Sequence, residues 1–108
     1  MNSIKENRIF RRAYSKGCKC ICGEFVLYCL KNNLNESFLG VTVSKKLGKA
    51  NIRNKVRRRV KEIIRLNEKN IKSGYFIVVV ARTRAVYAEY QLLEKNLLGL
   101  LEEAKIII

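Results

Sequence analysis

An α/β (α+β) two-layer sandwich, with helices covering one face of a small mixed sheet, is the fold class this sequence predicts, and three observations predict it. Tyr75-Phe76-Ile77-Val78-Val79-Val80-Ala81 is a β-branched apolar run too short for a buried helix, so it reads as a central strand. Two further runs, Glu24–Leu30 and Phe38–Ser44, have the composition of strands. Three other segments repeat their apolar residues with the period of helices packed on a sheet. A chain of 108 residues buries enough surface for one real core, so residues 1–108 are expected to form a single domain.

Taken in order, Phe10 and Tyr14 lie one helical turn apart among Arg8, Arg11 and Arg12, with Asn7 as the expected N-cap. That makes a short amphipathic helix ending near Gly17. A short strand is also compatible with Cys18–Cys22. In the Glu24–Leu30 strand Phe25, Leu27 and Cys29 point one way and Val26, Tyr28 and Leu30 the other, so it is apolar on both faces and one of them is free to be a groove. The Asn32-Asn33-Leu34-Asn35 cluster reads as a turn, and the strands on either side of it as a β-hairpin. A helix from about Ile52 to Asn67 follows Gly48, and a loop ends at Ser73-Gly74 before the central strand. The closing helix, from about Ala88 to Ala104, carries Leu92, Leu93, Leu97, Leu98, Leu100 and Leu101 as its core stripe. The element order is helix, strand, strand, helix, strand, helix, which suits layered packing. The tail Ile106-Ile107-Ile108 has no place in this scheme.

Charge narrows the function. Lys and Arg number 23 against nine acids, a net charge of +14 that repels itself unless a polyanion is near. Nucleic acid is the partner this implies. A membrane surface fits less well, because membrane-surface helices set bulky apolar residues such as Trp against their basic face and this chain has no Trp. No apolar run approaches the roughly 20 residues that cross a bilayer. The opening Met1–Glu6 has no apolar stretch of the kind a secretory signal needs, so a cytoplasmic location is expected. No motif demands an obligate protein partner.

The charge concentrates on one helix. With Ile52 at the origin of a helical wheel, Val56, Val60 and Ile63 share a narrow arc that packs on the core, and the opposite side is cationic. Arg53, Arg57, Lys61 and Arg65 follow at four-residue spacing, with Asn54 and Arg58 beside them and Lys55 at the edge. Like charges one turn apart weaken an isolated helix, so this face is unfavourable without a partner. Glu62 is the only acid between Lys45 and Arg65, and the alternating signs of an ordinary solvated helix are missing. Lys45, Lys46 and Lys49 extend the patch into the preceding loop. Phosphates would relieve the repulsion, and the crowding suggests that bound anions also assist folding.

Cys18, Cys20, Cys22 and Cys29 look at first like a metal or redox motif. In an extended strand, however, alternate side chains are spread about 7 Å apart and do not converge on one tetrahedral ion. The chain also has no His to complete a set. The thiols are read as small apolar residues, reduced in a cytosolic setting.

The run Val43-Ser44-Lys45-Lys46-Leu47-Gly48-Lys49-Ala50-Asn51-Ile52-Arg53-Asn54-Lys55-Val56-Arg57-Arg58 resembles the signature of the bacterial ribonuclease P protein family, a Val-Ser-Lys-Lys-x-Gly strand end joined to an Arg-Asn-Arg helix. The resemblance covers nearly the whole chain, since Phe10 and Tyr14, Phe25–Tyr28, Ile77–Arg82 and the Leu-rich closing helix fall where the family has them. It implies an α/β sandwich with a left-handed β-α-β crossover, whereas such crossovers are otherwise almost always right-handed. It also implies a ribonucleoprotein in which an RNA, using Mg2+ held mainly by that RNA, removes the 5′ leader of precursor tRNA. Lys45, Lys46, Arg53, Asn54, Lys55, Arg57, Arg58, Lys61 and Arg65 would then contact the catalytic RNA, the last of these as part of the same cationic face. Phe10, Tyr14, Val26, Tyr28 and Ser44 would bind the single-stranded leader. Positive charge beside aromatic faces is what single strands require, which agrees with the residues themselves.

Four positions depart from the family pattern. Lys55 stands for the second Arg of Arg-Asn-Arg, keeping charge but losing the planar fork that grips phosphate. Lys61 and Arg57 exchange Lys and Arg relative to the family without loss of charge. Arg59 lies beside Ile52 on the wheel, where the family is apolar, and is expected to snorkel to the sheet edge.

Without His the commonest general base is missing, no acidic pair is placed to bind catalytic metal, and no phosphate-cradling Gly-rich loop is present. A binding module without catalytic residues of its own is therefore expected. The alternative is a structural ribosomal RNA-binding protein, which would share the charge and the basic helix but need no leader groove. A DNA reader would show a helix-turn-helix or a dimer seam, and neither is visible.

Overall fold

The apolar run at Tyr75–Ala81 is the middle strand of a five-stranded mixed sheet. A computed structural model describes all of residues 1–108. In chain order the strands are β1 (Asn2–Ser3), β2 (Cys18–Ile21), β3 (Phe25–Lys31), β4 (Phe38–Thr42) and β5 (Tyr75–Ala81). The helices are α1 (Asn7–Lys16), α2 (Ala50–Asn67), α3 (Arg84–Tyr87) and α4 (Tyr90–Glu103). Across the sheet the order is β1-β4-β5-β3-β2.

The expected hairpin between β3 and β4 does not form. β5 lies between them, antiparallel to β3 over Phe25↔Ala81 to Lys31↔Tyr75 and parallel to β4 over Phe38↔Phe76 to Thr42↔Val80. Ile77, Val78 and Val79 are fully buried on the two faces of β5, and such a strand belongs where both edges are paired and both faces covered. The Asn32–Asn35 cluster is a turn nonetheless. Asn32 Oδ1 accepts from the Leu34 N–H at 2.8 Å, Asn33 takes φ 58, and the Asn32 N–H bonds to the Gly74 carbonyl at 3.0 Å. The turn therefore carries the chain over the start of β5. The true hairpin is β2 with β3, Cys18↔Cys29 to Ile21↔Val26, closed by the Cys22 N–H on the Phe25 carbonyl at 2.9 Å.

On one face, Phe25, Leu27, Ile77 and Val79 pack under Val56, Val60, Ile63 and Ile64 of α2 and Leu93, Leu97, Leu100 and Leu101 of α4. Leu92 is exposed. The other face is not left bare: α1 buries Ala13 against Val78 and Ile4, because β3 and β5 are apolar on both sides. Asn7 is the first helical residue of α1 and Glu6 the N-cap, with no side-chain capping bond. The closing helix is unbroken and starts two residues later than expected, at Tyr90; the short α3 before it was not expected, and extended backbone at Ala88 separates the two. The tail is a clasp: Ile106 is buried, its carbonyl accepts from the Lys72 N–H at 2.7 Å, and the Ile108 N–H bonds to the Asn70 carbonyl at 2.7 Å. β4, α2 and β5 make the β-α-β crossover between neighbouring parallel strands, which sets α2 beside the end of β4.

Candidate nucleic-acid interface

The chain leaves β4 through Val43 and Ser44 into a single 3-10 turn, Lys45–Leu47, and then reverses at Gly48 to start α2. Gly48 has φ 139, a region side chains resist, and its carbonyl accepts from the Arg53 Nε at 3.1 Å. The loop and the first turn of the helix are thus tied together. Neither Ser44 nor Lys49, which precede the two helical segments, makes a side-chain capping bond, and the first turn of α2 has no acid. The positive end of the helix dipole therefore adds to Lys45, Lys46 and Arg53.

Along α2, Asn54, Lys55, Arg58, Lys61 and Arg65 are exposed, whereas Arg53 and Arg57 are half-buried on the side toward β4. The Arg57 guanidinium donates to Asn54 Oδ1 at 3.1 Å and to the Val43 carbonyl at 3.5 Å, which aims it at the end of the sheet. Arg65 differs from the other cations. It grips Glu62 at 2.7 and 2.9 Å, and that bond holds the Glu62 carboxyl below its ordinary range. Part of its charge is already answered. Arg59 does not reach the sheet edge; its guanidinium donates to the Ala88 carbonyl at 3.2 Å, where α3 gives way to α4. That carbonyl belongs to the extended residue between the two helices and has no helical partner, so it accepts a cation readily.

A groove lies on the α1 face of the sheet. The registers set Thr42, Val80, Val26 and Ile21 in one row across four strands, and Gly40, Val78, Tyr28 and Lys19 in the next. α1 crosses the second row. Gly40 makes this approach feasible, because a Cβ there would lie 2.5 Å from Phe10 Cε1. Phe10 accordingly packs in the smaller core, while Tyr14 is 40% exposed, forms a T-shaped pair with Tyr28 at 5.0 Å between ring centres and hydrogen-bonds Thr42 Oγ1 through its hydroxyl at 2.8 Å. Lys19 Nζ stands 5.8 Å from the Tyr28 ring centre. Between α1 and α2 a cleft of about 460 Å³ is lined by Phe10, Arg11, Tyr14, Thr42 and Arg57 among others. Groove and cationic helix thus meet at Arg57.

The structure brings Phe10, Tyr14, Val26 and Tyr28 together, with Ser44 exposed just beyond the end of β4. Sequence reading missed Thr42, Val80, Ile21 and Lys19. Period-2 alternation marks all four as sharing a face of their own strand. The expected β3–β4 pairing left no place beside Val26 for β5.

The cysteines are all free, with Cys20 and Cys29 buried and Cys18 exposed. Burial pushes both buried thiols up to about 12, so they stay protonated and unreactive. No three His, Cys, Asp or Glu side chains come together as metal ligands. No helix is long and apolar enough to cross a membrane.

An aromatic groove that opens onto a largely unpaired cationic helix defines a nucleic-acid-binding protein. The family model described as ribonuclease P matches residues 1–105, and the chain belongs to the ribonuclease P protein family. It is 43% identical to a ribonuclease P protein component of Clostridium botulinum over 106 residues, covering 97% of this chain and 96% of that one. Among solved structures, the RNase P protein of Staphylococcus aureus superposes with a TM-score of 0.91 at 33% identity, covering 100% of this chain and 99% of the other. The RNase P protein of Thermotoga maritima gives 0.87 at 32% identity, covering 95% and 97%.

Proposed function

We propose that this chain is the RNA-binding protein component of a cytoplasmic ribonuclease P ribonucleoprotein, and that it helps a catalytic RNA remove the 5′ leader from precursor tRNA. The observation that carries the reading is the junction at Arg57, where one surface for phosphates and another for bases become continuous. In this reading Lys45, Lys46, Arg53, Asn54, Lys55, Arg58 and Lys61 hold the backbone of the catalytic RNA near its active centre, with Arg65 in a lesser role because of Glu62. Tyr14, Tyr28 and Val26 receive the single-stranded leader, Ser44 touches it where it leaves the groove, and Phe10 supports the wall. Every base has a π-face, so the groove accepts leaders of varied sequence.

Magnesium fits the RNA better than the protein, since the chain's carboxylates do not gather into a ligand set. The protein lowers the need for it by neutralising phosphates near the active centre. A structural ribosomal protein would not need the aromatic groove, and membership of this family disfavours that alternative. Reconstitution tests the reading. The chain alone should cut nothing, and with a bacterial ribonuclease P RNA it should restore leader removal at magnesium concentrations where the RNA alone is slow. Cleavage by the protein alone, or no gain for the RNA, would overturn it.

A further inference from the structure

The groove lies on one flank of α2, the side of Arg53 and Arg57. The opposite flank ends at a second aromatic. Tyr87 is 81% exposed, the largest exposure of any large apolar residue in the chain, and it packs on no other aromatic ring. Its exposure does not come from a frayed segment. Ala85 is fully buried and Val86 packs against the main core, while the Ala88 N–H bonds back to the Arg84 carbonyl at 3.1 Å. The next residue is fixed to α2 as well, through the Arg59 guanidinium on the Ala88 carbonyl at 3.2 Å. Lys55 stands one turn before Arg59 on the same side of the helix and is exposed.

We propose that Tyr87 is a second base-stacking platform, on which an unpaired base of the RNA bound along α2 rests. The inference depends on the proposed function, since it takes the RNA on α2 as given. Charge chooses RNA over an apolar protein partner. Between Glu68 and Glu89 the chain has no acid, and neither Lys55, Arg58, Arg59 nor Arg84 is engaged by a carboxylate. A strand whose phosphates follow the cationic face from Lys61 and Arg58 to Lys55 is delivered to Tyr87 with its bases free to turn onto the ring. A tyrosine held on a rigid turn loses little conformational freedom on stacking. Of the acids near this flank, Glu62 is held by Arg65, and Glu89, the N-cap of α4, would repel a phosphate led past Tyr87.

Because the chain has no Trp, a Tyr87→Trp protein carries a single fluorescent reporter at the site. It is titrated with a labelled bacterial ribonuclease P RNA, following RNA anisotropy and tryptophan emission together. The expected result is quenched emission that saturates with binding. In parallel, Tyr87→Ala weakens the RNA complex by about five-fold or more, with the same loss for leader-bearing and mature tRNA and an unchanged melting temperature for the free protein. Normal anisotropy with unquenched emission would overturn the platform while leaving RNA binding along α2 intact. Absence of binding by the unaltered chain would overturn the proposed function, and this inference with it. An emission change that follows protein concentration without RNA would identify a contact between copies instead, and would also overturn it.

Discussion

Tyr14 forms a T-shaped pair with Tyr28 and shares a hydrogen bond with Thr42 through its hydroxyl, so it is held in place while 40% of it stays open to a ligand. Phe10, one turn earlier, is spent differently, pressed against the bare backbone of Gly40. The two aromatics looked equivalent in the sequence, because a helical pair four residues apart carries no sign of which ring meets a glycine. Their substitutions should now separate. Tyr14→Ala should weaken leader-bearing tRNA by about five-fold or more through lost stacking, with little change for mature tRNA or for the melting temperature. Phe10→Ala should in addition lower stability by about 2 kcal/mol, as removal of a partly buried aromatic does. Equal losses for both kinds of tRNA with Tyr14→Ala would remove the groove from the leader's path.

At the scale of the element, α2 was legible almost completely. Apolar spacing named its buried side, and only Ile64, fully buried beside the predicted Val60 and Ile63, escaped. Its charge was legible as a sum but not as a distribution. Arg65 is held by Glu62, and Arg59 by the Ala88 carbonyl, at what the sequence reads as the start of the closing helix. Releasing Arg65 should therefore strengthen the interface. Glu62→Gln is expected to tighten RNA binding and to steepen the log-log dependence on salt by up to about 0.7 to 0.9, the contribution of one further phosphate. An unchanged slope would mean that Arg65 lies outside the contact. The strand order was the part that could not be read. A turn between two apolar runs favours a hairpin by proximity, and nothing local reports that a strand more than thirty residues later fits better between them.

Over the whole molecule the ion pairs are unevenly placed. Glu36 and Glu68 gather around the N-terminal residues, where Asn2 donates to Glu36 at 2.9 Å and the Met1 ammonium pairs with Glu68 at 2.7 Å. The opposite end of the sheet opens on Lys45, Lys46, Arg53 and Arg57, none of them in an ion pair. Self-repulsion is thus concentrated where the ligand is expected, and an anion bound there stabilises the folded state only. Sulfate or phosphate should raise the melting temperature more than chloride at equal ionic strength, each tenfold rise above its dissociation constant adding about 1.4 kcal/mol. Identical curves in the two salts would show that screening alone is at work.

The insertion of β5 between β3 and β4 also sets when the protein becomes competent. Val78 and Val80 supply the middle of the groove floor, and they leave the ribosome after the whole of α2. A nascent chain that ends at Asn67 holds every cationic side chain of the helix yet lacks β5, the strand that joins the β2–β3 hairpin to β4 and completes the floor beneath α1. Such pairings of distant segments form late, because the intervening chain must first be ordered. The charged helix can therefore attract RNA before the groove exists, and in the proposed function any selection of a leader waits for the last third of the chain.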